Sequence, residues 1–241
     1  MREYIYSLID LAGVKSVLDI GCGKGHDLLC LAERLPNAAK LVGLDVSEEA
    51  IEAAKEAAQA NGLHQFLAHD ASQGLPFGDS EFDVVYSLNF LECVADKQTL
   101  VKEMHRVLSV GGQVVCSHFD WDTQVFDGVD KALVRKIVHA YADWQQAWMA
   151  AADGWMGRRL WGEFQRSGLF EGRIETYTLM NTEYVEPFYG HMNAQAFGGL
   201  TRRAMIAEDE YAAFLGEIEE LSRRGEYFYS VNMYIYTGRK A

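Results

Sequence analysis

From Val17 to Asp27 the chain passes from an apolar strand pattern, Val-Leu-Asp-Ile, through the alternating glycines Gly21, Gly23 and Gly25, into a helical pattern that starts at His26. Glycines at this spacing let the backbone bend sharply and approach a ligand where any Cβ would collide. A dinucleotide fingerprint places its third glycine where this chain has His26, with Gly25 one position early. The turn therefore points to an adenosyl ligand without a pyrophosphate. Leu41-Val-Gly-Leu-Asp45 then ends a second apolar run in an acid, about 20 residues past the glycines, the distance at which a carboxylate grips ribose hydroxyls.

Further runs follow the same grammar. Phe66-Leu-Ala-His-Asp70 ends in an acid, Phe82-Asp-Val-Val-Tyr-Ser87 follows the turn-like Leu75-Pro-Phe-Gly-Asp79, and Gly111-Gly112 releases the chain into Gln113 to His118. Between them lie helical patterns. Arg2 to Leu11 is a short lead, and His26 to Leu35 is closed by Pro36-Asn37. Ile51 to Ala60 is capped by Ser47 and ended by Asn61-Gly62, and Asp96 to Leu108 carries an apolar stripe. Strands alternating with helices specify a doubly wound parallel sheet, with ligands beyond the carboxyl ends of its strands.

After His118 the pattern changes. Asp130 to Ala151 reads as one long helix with Tyr141, Trp144 and Trp148 on a shared face, a packing stripe or an acceptor surface. A helix over Arg158 to Gly168, a strand over Arg173 to Leu179, a helix from Ala207 to Arg223 and a terminal strand over Tyr227 to Thr237 complete the chain. Its 241 residues suit one α/β domain, 1–241, with a core over 13–118. The segments 119–154 and 181–200 are left over as cap insertions.

Composition excludes several classes of partner. With 35 acidic against 22 basic residues and a formal charge of -13, nucleic acid and anionic membrane surfaces are poor partners. Cys22, Cys30, Cys93 and Cys116 have no close-paired spacing, so no metal site is expected, and a reducing cytoplasm is the expected home. No signal pattern stands at Met1, and no apolar stretch approaches the ~18 residues of a membrane span. The tyrosine-rich terminal strand and the aromatic helix offer surfaces for a homodimer.

Taken together, Val17 to Gly25, Asp45, Asp70, Leu75-Pro-Phe, the Phe82 strand, Leu108-Ser-Val-Gly-Gly112 and the terminal strand resemble the class I S-adenosylmethionine-dependent methyltransferases. The resemblance is to the broad subgroup of ubiquinone and menaquinone biosynthesis C-methyltransferases and natural-product methyltransferases. It implies a Rossmann-like seven-stranded sheet, mostly parallel with an antiparallel terminal strand, with helices on both faces and a helical or loop cap. It implies S-adenosyl-L-methionine as cofactor, with Asp19 anchoring the loop Gly21, Cys22, Gly23 and Gly25 and reaching the methionine part. Asp45, with Val46 beside it, would hold the ribose, Asp70 and Ala71 would meet the adenine, and Asn89 and Phe90 would face the methionyl end. Relatives often begin with a longer helical segment, which leaves closure of the site to the second half of this chain.

In-line displacement at a sulfonium methyl needs positioning first, and for an acceptor that carries a proton it also needs a base. His118, leaving the fifth strand, is the first candidate base; it could equally hydrogen-bond the following loop. Asp120 and Trp121 could hold a cationic amine by charge and ring face, or cap the next helix. Tyr184, Tyr189, His191 and Met192 form a second aromatic and polar cluster, with Tyr189 and His191 as further catalytic candidates and Trp148 as a further acceptor contact. The expected reaction is methylation of a small molecule, an amine or aromatic heterocycle of specialised metabolism. A ring carbon, an oxygen, a peptide side chain, or cofactor binding without turnover are the alternatives.

Overall fold

The computed structural model describes residues 1–35, 39–58, 64–147 and 149–241. Its strands are β1 (Ser16–Ile20), β2 (Lys40–Asp45), β3 (His64–Ala68), β4 (Phe82–Leu88), β5 (Leu108–Phe119), β6 (Val125–Phe126), β7 (Phe170–Asn181) and β8 (Tyr229–Lys240). The helices are α1 (Arg2–Ser7), α2 (His26–Ala32), α3 (Glu48–Ala57), α4 (Lys97–Val107), α5 (Lys131–Ala142), α6 (Met156–Ser167), α7 (Tyr189–Ala196), α8 (Gly198–Arg202) and α9 (Glu208–Arg223). The chain divides into two compact units, one of Met1–His118, Arg159–Glu175 and Tyr234–Ala241, the other of Phe119–Arg158 and Thr176–Met233.

In the first unit the strands are ordered β3-β2-β1-β4-β5-β8, with β7 paired to β8. The pairs β1 with β2, β2 with β3, β1 with β4 and β4 with β5 are parallel. At the far end, Arg239 donates to the Gly111 carbonyl at 2.9 Å and Lys240 to that of Leu108 at 2.7 Å, so the end of β8 lies beside the start of β5 and runs against it. Val17, Leu18, Ile20, Val84, Val85, Val114 and Val115 are buried throughout, the continuous apolar signature of strands covered on both faces. The expected Rossmann-like class is the one observed.

Sequence signals locate the helix starts well. Ser47 caps α3 by accepting from Ala50 N at 3.2 Å, and Asp96 caps α4 by accepting from Thr99 N at 3.0 Å. The proposed stops at Pro36-Asn37 and Asn61-Gly62 lie outside the described residues. Gly111-Gly112 is not a lead-in to the fifth strand but an irregularity inside it, where the register with β4 shifts between Phe82 and Val84 and Gly111 takes φ +76°.

In the second unit the two-residue strand β6, unforeseen in the sequence, pairs antiparallel with the first residues of β8, Val125 with Ser230 and Phe126 with Tyr229. The expected helix over Asp130 to Ala151 is also corrected. The helix starts where expected, with Asp130 accepting from Ala132 N and Leu133 N as its cap, but it ends at Ala142. Tyr141 therefore lies on the helix and Trp144 beyond it, their rings still 6.2 Å apart, while Trp148 lies outside the described residues. Helical spacing carried past the true end because aromatic packing, not helix continuation, holds Trp144: its ring lies against Gly199, where a Cβ would fall 2.4 Å from it.

Candidate functional site

The glycine turn does two jobs, and the three glycines divide them. The amides of Gly21 and Cys22 both donate to the Leu44 carbonyl, at 2.8 and 2.9 Å, which pins the turn to the end of β2. Gly21 (φ +76°) sits under the Phe90 ring, where a Cβ would fall 2.5 Å from the ring, and at Gly25 (φ +74°) a Cβ would fall 2.7 Å from the Phe66 ring. Gly23 (φ +52°) has nothing among the described residues within 4 Å of where its Cβ would be. Packing demands the outer two glycines, and the middle one leaves open space above the loop.

Asp45 closes the loop from the neighbouring strand. Its Oδ2 accepts from Gly23 N at 2.8 Å and its Oδ1 from Ser47 N at 2.9 Å. Each oxygen keeps a second acceptor direction, as two vicinal hydroxyls would require. Val46 beside it is 66% exposed. One strand further, exposed Asp70 caps the turn that begins at buried Ala71, and its hydrogen bond from Ser72 holds its carboxyl below the usual range. Asn89 takes φ +52° just after β4, and its N–H donates to the Ser117 carbonyl at 2.9 Å, turning the chain at the same end of the sheet.

Beneath the loop lies an acidic floor. Asp19 is 2% exposed, and burial first, then the charges of Asp27 and Asp45, push its carboxyl well above the ordinary aspartate range. Buried Asp27 accepts from Arg2 Nε at 2.8 Å and from the Tyr6 hydroxyl at 2.5 Å, both on α1. Arg2, Tyr6, Asp27 and Tyr86 were missed in the sequence. Their signal was available: Arg2 and Tyr6 stand four apart on a short helix, and Asp27 closes the glycine motif itself. The Cys22 thiol is pushed up by burial and by Asp19 and Asp45, an environment opposite to that of a reactive thiolate.

His118, near the end of β5, is fully buried, with its Nε2 3.7 Å from Oε1 of Glu92. Glu92, itself buried, follows Phe90 and Leu91 in the turn after β4. It is a second functional candidate that sequence reading passed over, because nothing in the spacing of positions 92 and 118 announces that parallel neighbours bring them together.

In the second unit, Phe119 packs against Trp121 (centroids 5.0 Å apart) and Tyr189 (5.1 Å), and Trp121 meets Tyr141 edge-on at 5.6 Å. Trp121, Tyr141 and Tyr189 are half-buried, so this aromatic face is partly open. Tyr184, by contrast, accepts from Gln195 Nε2 at 2.8 Å and sits 4.7 Å from the His191 ring. Tyr189 and His191 thus belong to different clusters, as two positions apart on one helix must, and Met192 lies 49% exposed on the surface. Asp120 is fully buried and engaged by Arg158, Nε to Oδ2 at 2.5 Å and Nη2 to Oδ1 at 2.6 Å. The carboxylate expected to receive an amine already holds a guanidinium. Buried Asn193 donates to the Tyr229 hydroxyl at 2.7 Å and to Gln124 Oε1 at 3.1 Å, a polar knot with no precursor in the sequence pattern. Among the described residues no group of three His, Cys, Asp or Glu is placed to hold a metal ion, and no helix is long and apolar enough to cross a membrane.

A family model described as a methyltransferase domain matches residues 13–176. The chain belongs to the methyltransferase family. Within it, the class I S-adenosylmethionine-dependent type is the one that the glycine motif, Asp45 and the strand order carry. This methyltransferase-family chain is 40% identical over 116 residues to the demethylmenaquinone methyltransferase of Geobacillus stearothermophilus, covering 48% of this chain and 50% of that protein. The demethylmenaquinone methyltransferase of Oceanobacillus iheyensis is 28% identical over 174 residues, 68% of this chain and 73% of its own. The chain spans about half the length of the first curated relatives it matches. In fold it is similar to the YcgJ protein of Bacillus subtilis, with a TM-score of 0.63 at 18% identity over 100% of this chain and 99% of that one.

Proposed function

We propose that the chain binds S-adenosylmethionine over the Gly21 to Gly25 loop and transfers its methyl group to a small-molecule acceptor by in-line displacement. The observation that carries this reading is the Gly23 geometry: a loop amide tied to the Asp45 carboxylate, open space above the Cα, and lone pairs left on both Asp45 oxygens. Asp19 and the Phe90 and Asn89 turn would serve the methionyl end, and Asp70 with Ala71 the adenine. The cofactor supplies the electrophilic methyl group. His118 takes the proton of the acceptor, and the Glu92 carboxylate 3.7 Å from its Nε2 favours the imidazolium that results.

The residues expected to select the acceptor, Trp121, Tyr184, Tyr189, His191 and Met192, all lie in the second unit. The half-buried rings of Trp121 and Tyr189 offer a flat apolar surface, with Tyr184, His191 and Met192 as a second group on the same helix and its preceding loop. Because Asp120 is committed to Arg158, a planar aromatic heterocycle suits this unit better than a cationic amine. Carbon methylation of a quinone-like ring is the second reading, favoured by the name of the 40% identical relative.

The test is incubation with S-adenosylmethionine and a metabolite extract, and separately with a soluble naphthoquinol, followed by mass spectrometry for a one-methylene gain and for S-adenosylhomocysteine. Formation of both supports the reading, and the arm in which they form selects the acceptor class. Absence of S-adenosylhomocysteine binding by calorimetry overturns it.

A further inference from the structure

Beneath the glycine loop, five side chains of the first unit form one cluster, of which the proposed function uses only Asp19. Arg2 and Tyr6 of α1 both donate to Asp27 Oδ1, at 2.8 and 2.5 Å, and Asp27 stands two residues past Gly25 in the first turn of α2. Asp19 and Tyr86 are register partners on the parallel strands β1 and β4, so their side chains leave the sheet on the same face. The Tyr6 and Tyr86 rings lie 6.4 Å apart, which brings α1 onto that strand pair.

Two features of the cluster suit a ligand. Tyr86 is fully buried, and its hydroxyl has no hydrogen-bond partner among the described residues, whereas buried hydroxyls in folded proteins are paired as a rule. Carboxyl groups also gather around Asp19. Among the described residues, the carboxylates of Asp27 and Asp45 and the guanidinium of Arg2 act on Asp19; Arg2, Asp19 and Asp27 act on Tyr86; and Arg34 lies over the Tyr6 ring at 4.9 Å. Carboxyl groups gathered at this point accommodate a positive group, and an unpaired hydroxyl beside an arginine accommodates an anionic oxygen. A ligand that carries an ammonium and a carboxylate on one carbon satisfies both.

We propose that Tyr86 and Arg2 are binding residues for the α-amino-acid end of the cofactor, so that this end, and not the nucleoside, holds α1 against the loop. The inference rests on the reading of the loop as an S-adenosylmethionine site. It assigns the α-carboxylate to the Tyr86 hydroxyl and the Arg2 guanidinium, and the α-ammonium to the side of Asp19 and Asp27. The nucleoside part, served by Asp45, Asp70 and Ala71, is independent of α1.

Two probes separate these ends: S-adenosylhomocysteine carries the amino acid, and 5′-methylthioadenosine is the same nucleoside thioether without it. Calorimetric titration of Tyr86→Phe and of Arg2→Met should show S-adenosylhomocysteine binding weakened about tenfold in each variant, with methylthioadenosine affinity within about twofold of the unaltered chain. In the unaltered chain, amide hydrogen exchange over α1 should slow with S-adenosylhomocysteine and not with methylthioadenosine. The exchange arm needs no substitution, so it stands even if a variant folds poorly. Equal loss of both ligands in the variants makes Tyr86 and Arg2 structural supports and overturns the proposal, as does unchanged affinity for S-adenosylhomocysteine. If the unaltered chain binds neither probe, it is the cofactor reading itself that fails.

Discussion

Replacing Asp45 by alanine tests the cofactor site at its most determinate point. The carboxylate accepts two backbone amides, Gly23 N at 2.8 Å and Ser47 N at 2.9 Å. Both amides lie at a solvent-accessible rim and can turn to water, so their loss costs stability about 1 kcal/mol in total. With cofactor bound, the same carboxylate would accept the two ribose hydroxyls. Hydrogen bonds to a charged group are worth about 1.5 kcal/mol or more each, and water competes for this half-buried acid, so the net loss of binding should lie between about 1.5 and 3 kcal/mol. That corresponds to about 10- to 100-fold weaker binding of S-adenosylhomocysteine. The assay pairs calorimetric titration with thermal melting of the empty variant. A variant that melts slightly lower but binds within twofold of the unaltered chain would show that Asp45 only tethers the loop, and the ribose assignment would be wrong.

Other consequences are equally direct. Asp120→Ala removes a fully buried carboxylate from Arg158, whose side chain is 38% exposed and can turn to solvent, so the cost should be about 2 kcal/mol, read as a lowered denaturation midpoint; an unchanged midpoint contradicts the pairing. Asp19 has a folded pKa raised above its unfolded value, so the unfolded chain loses its proton first and stability falls as pH rises from the ordinary aspartate range through the raised value. Asp19→Asn should therefore raise the melting temperature of the empty protein at neutral pH, with the gain shrinking below about pH 4, and a lowered melting temperature at neutral pH refutes the buried-charge argument. Burial holds the Cys22 thiol up and pushes that of Cys93 up to about 12, so both should escape iodoacetamide at pH values where free cysteine is alkylated; peptide mapping that finds either one labelled in folded protein refutes this.

What the sequence by itself determined about this protein is local and periodic. The strand, glycine turn and helix from Val17 onward, the acid at the end of β2, the cap Ser47 and the helix starts at Asp96 and Asp130 depend on residues close in sequence, and all were legible. The parallel sheet was legible too, because alternation of short strands with helices has few other solutions. What only the tertiary structure decided is which side chains share a neighbourhood across parallel strands and between distant helices. Glu92 reaches His118 because β4 and β5 are neighbours, and Asp27 gathers Arg2 and Tyr6 because α1 packs beside α2. Asp120 meets Arg158 rather than solvent, and that single pairing changes the acceptor chemistry the segment can offer. The same distinction explains the overlong helix. Tyr141 and Trp144 keep helical spacing, but the second unit's aromatic core holds them on either side of a helix end that no local signal marked. Periodicity records which residues are buried; the packed partners, which the sequence does not order, decide what they are buried against.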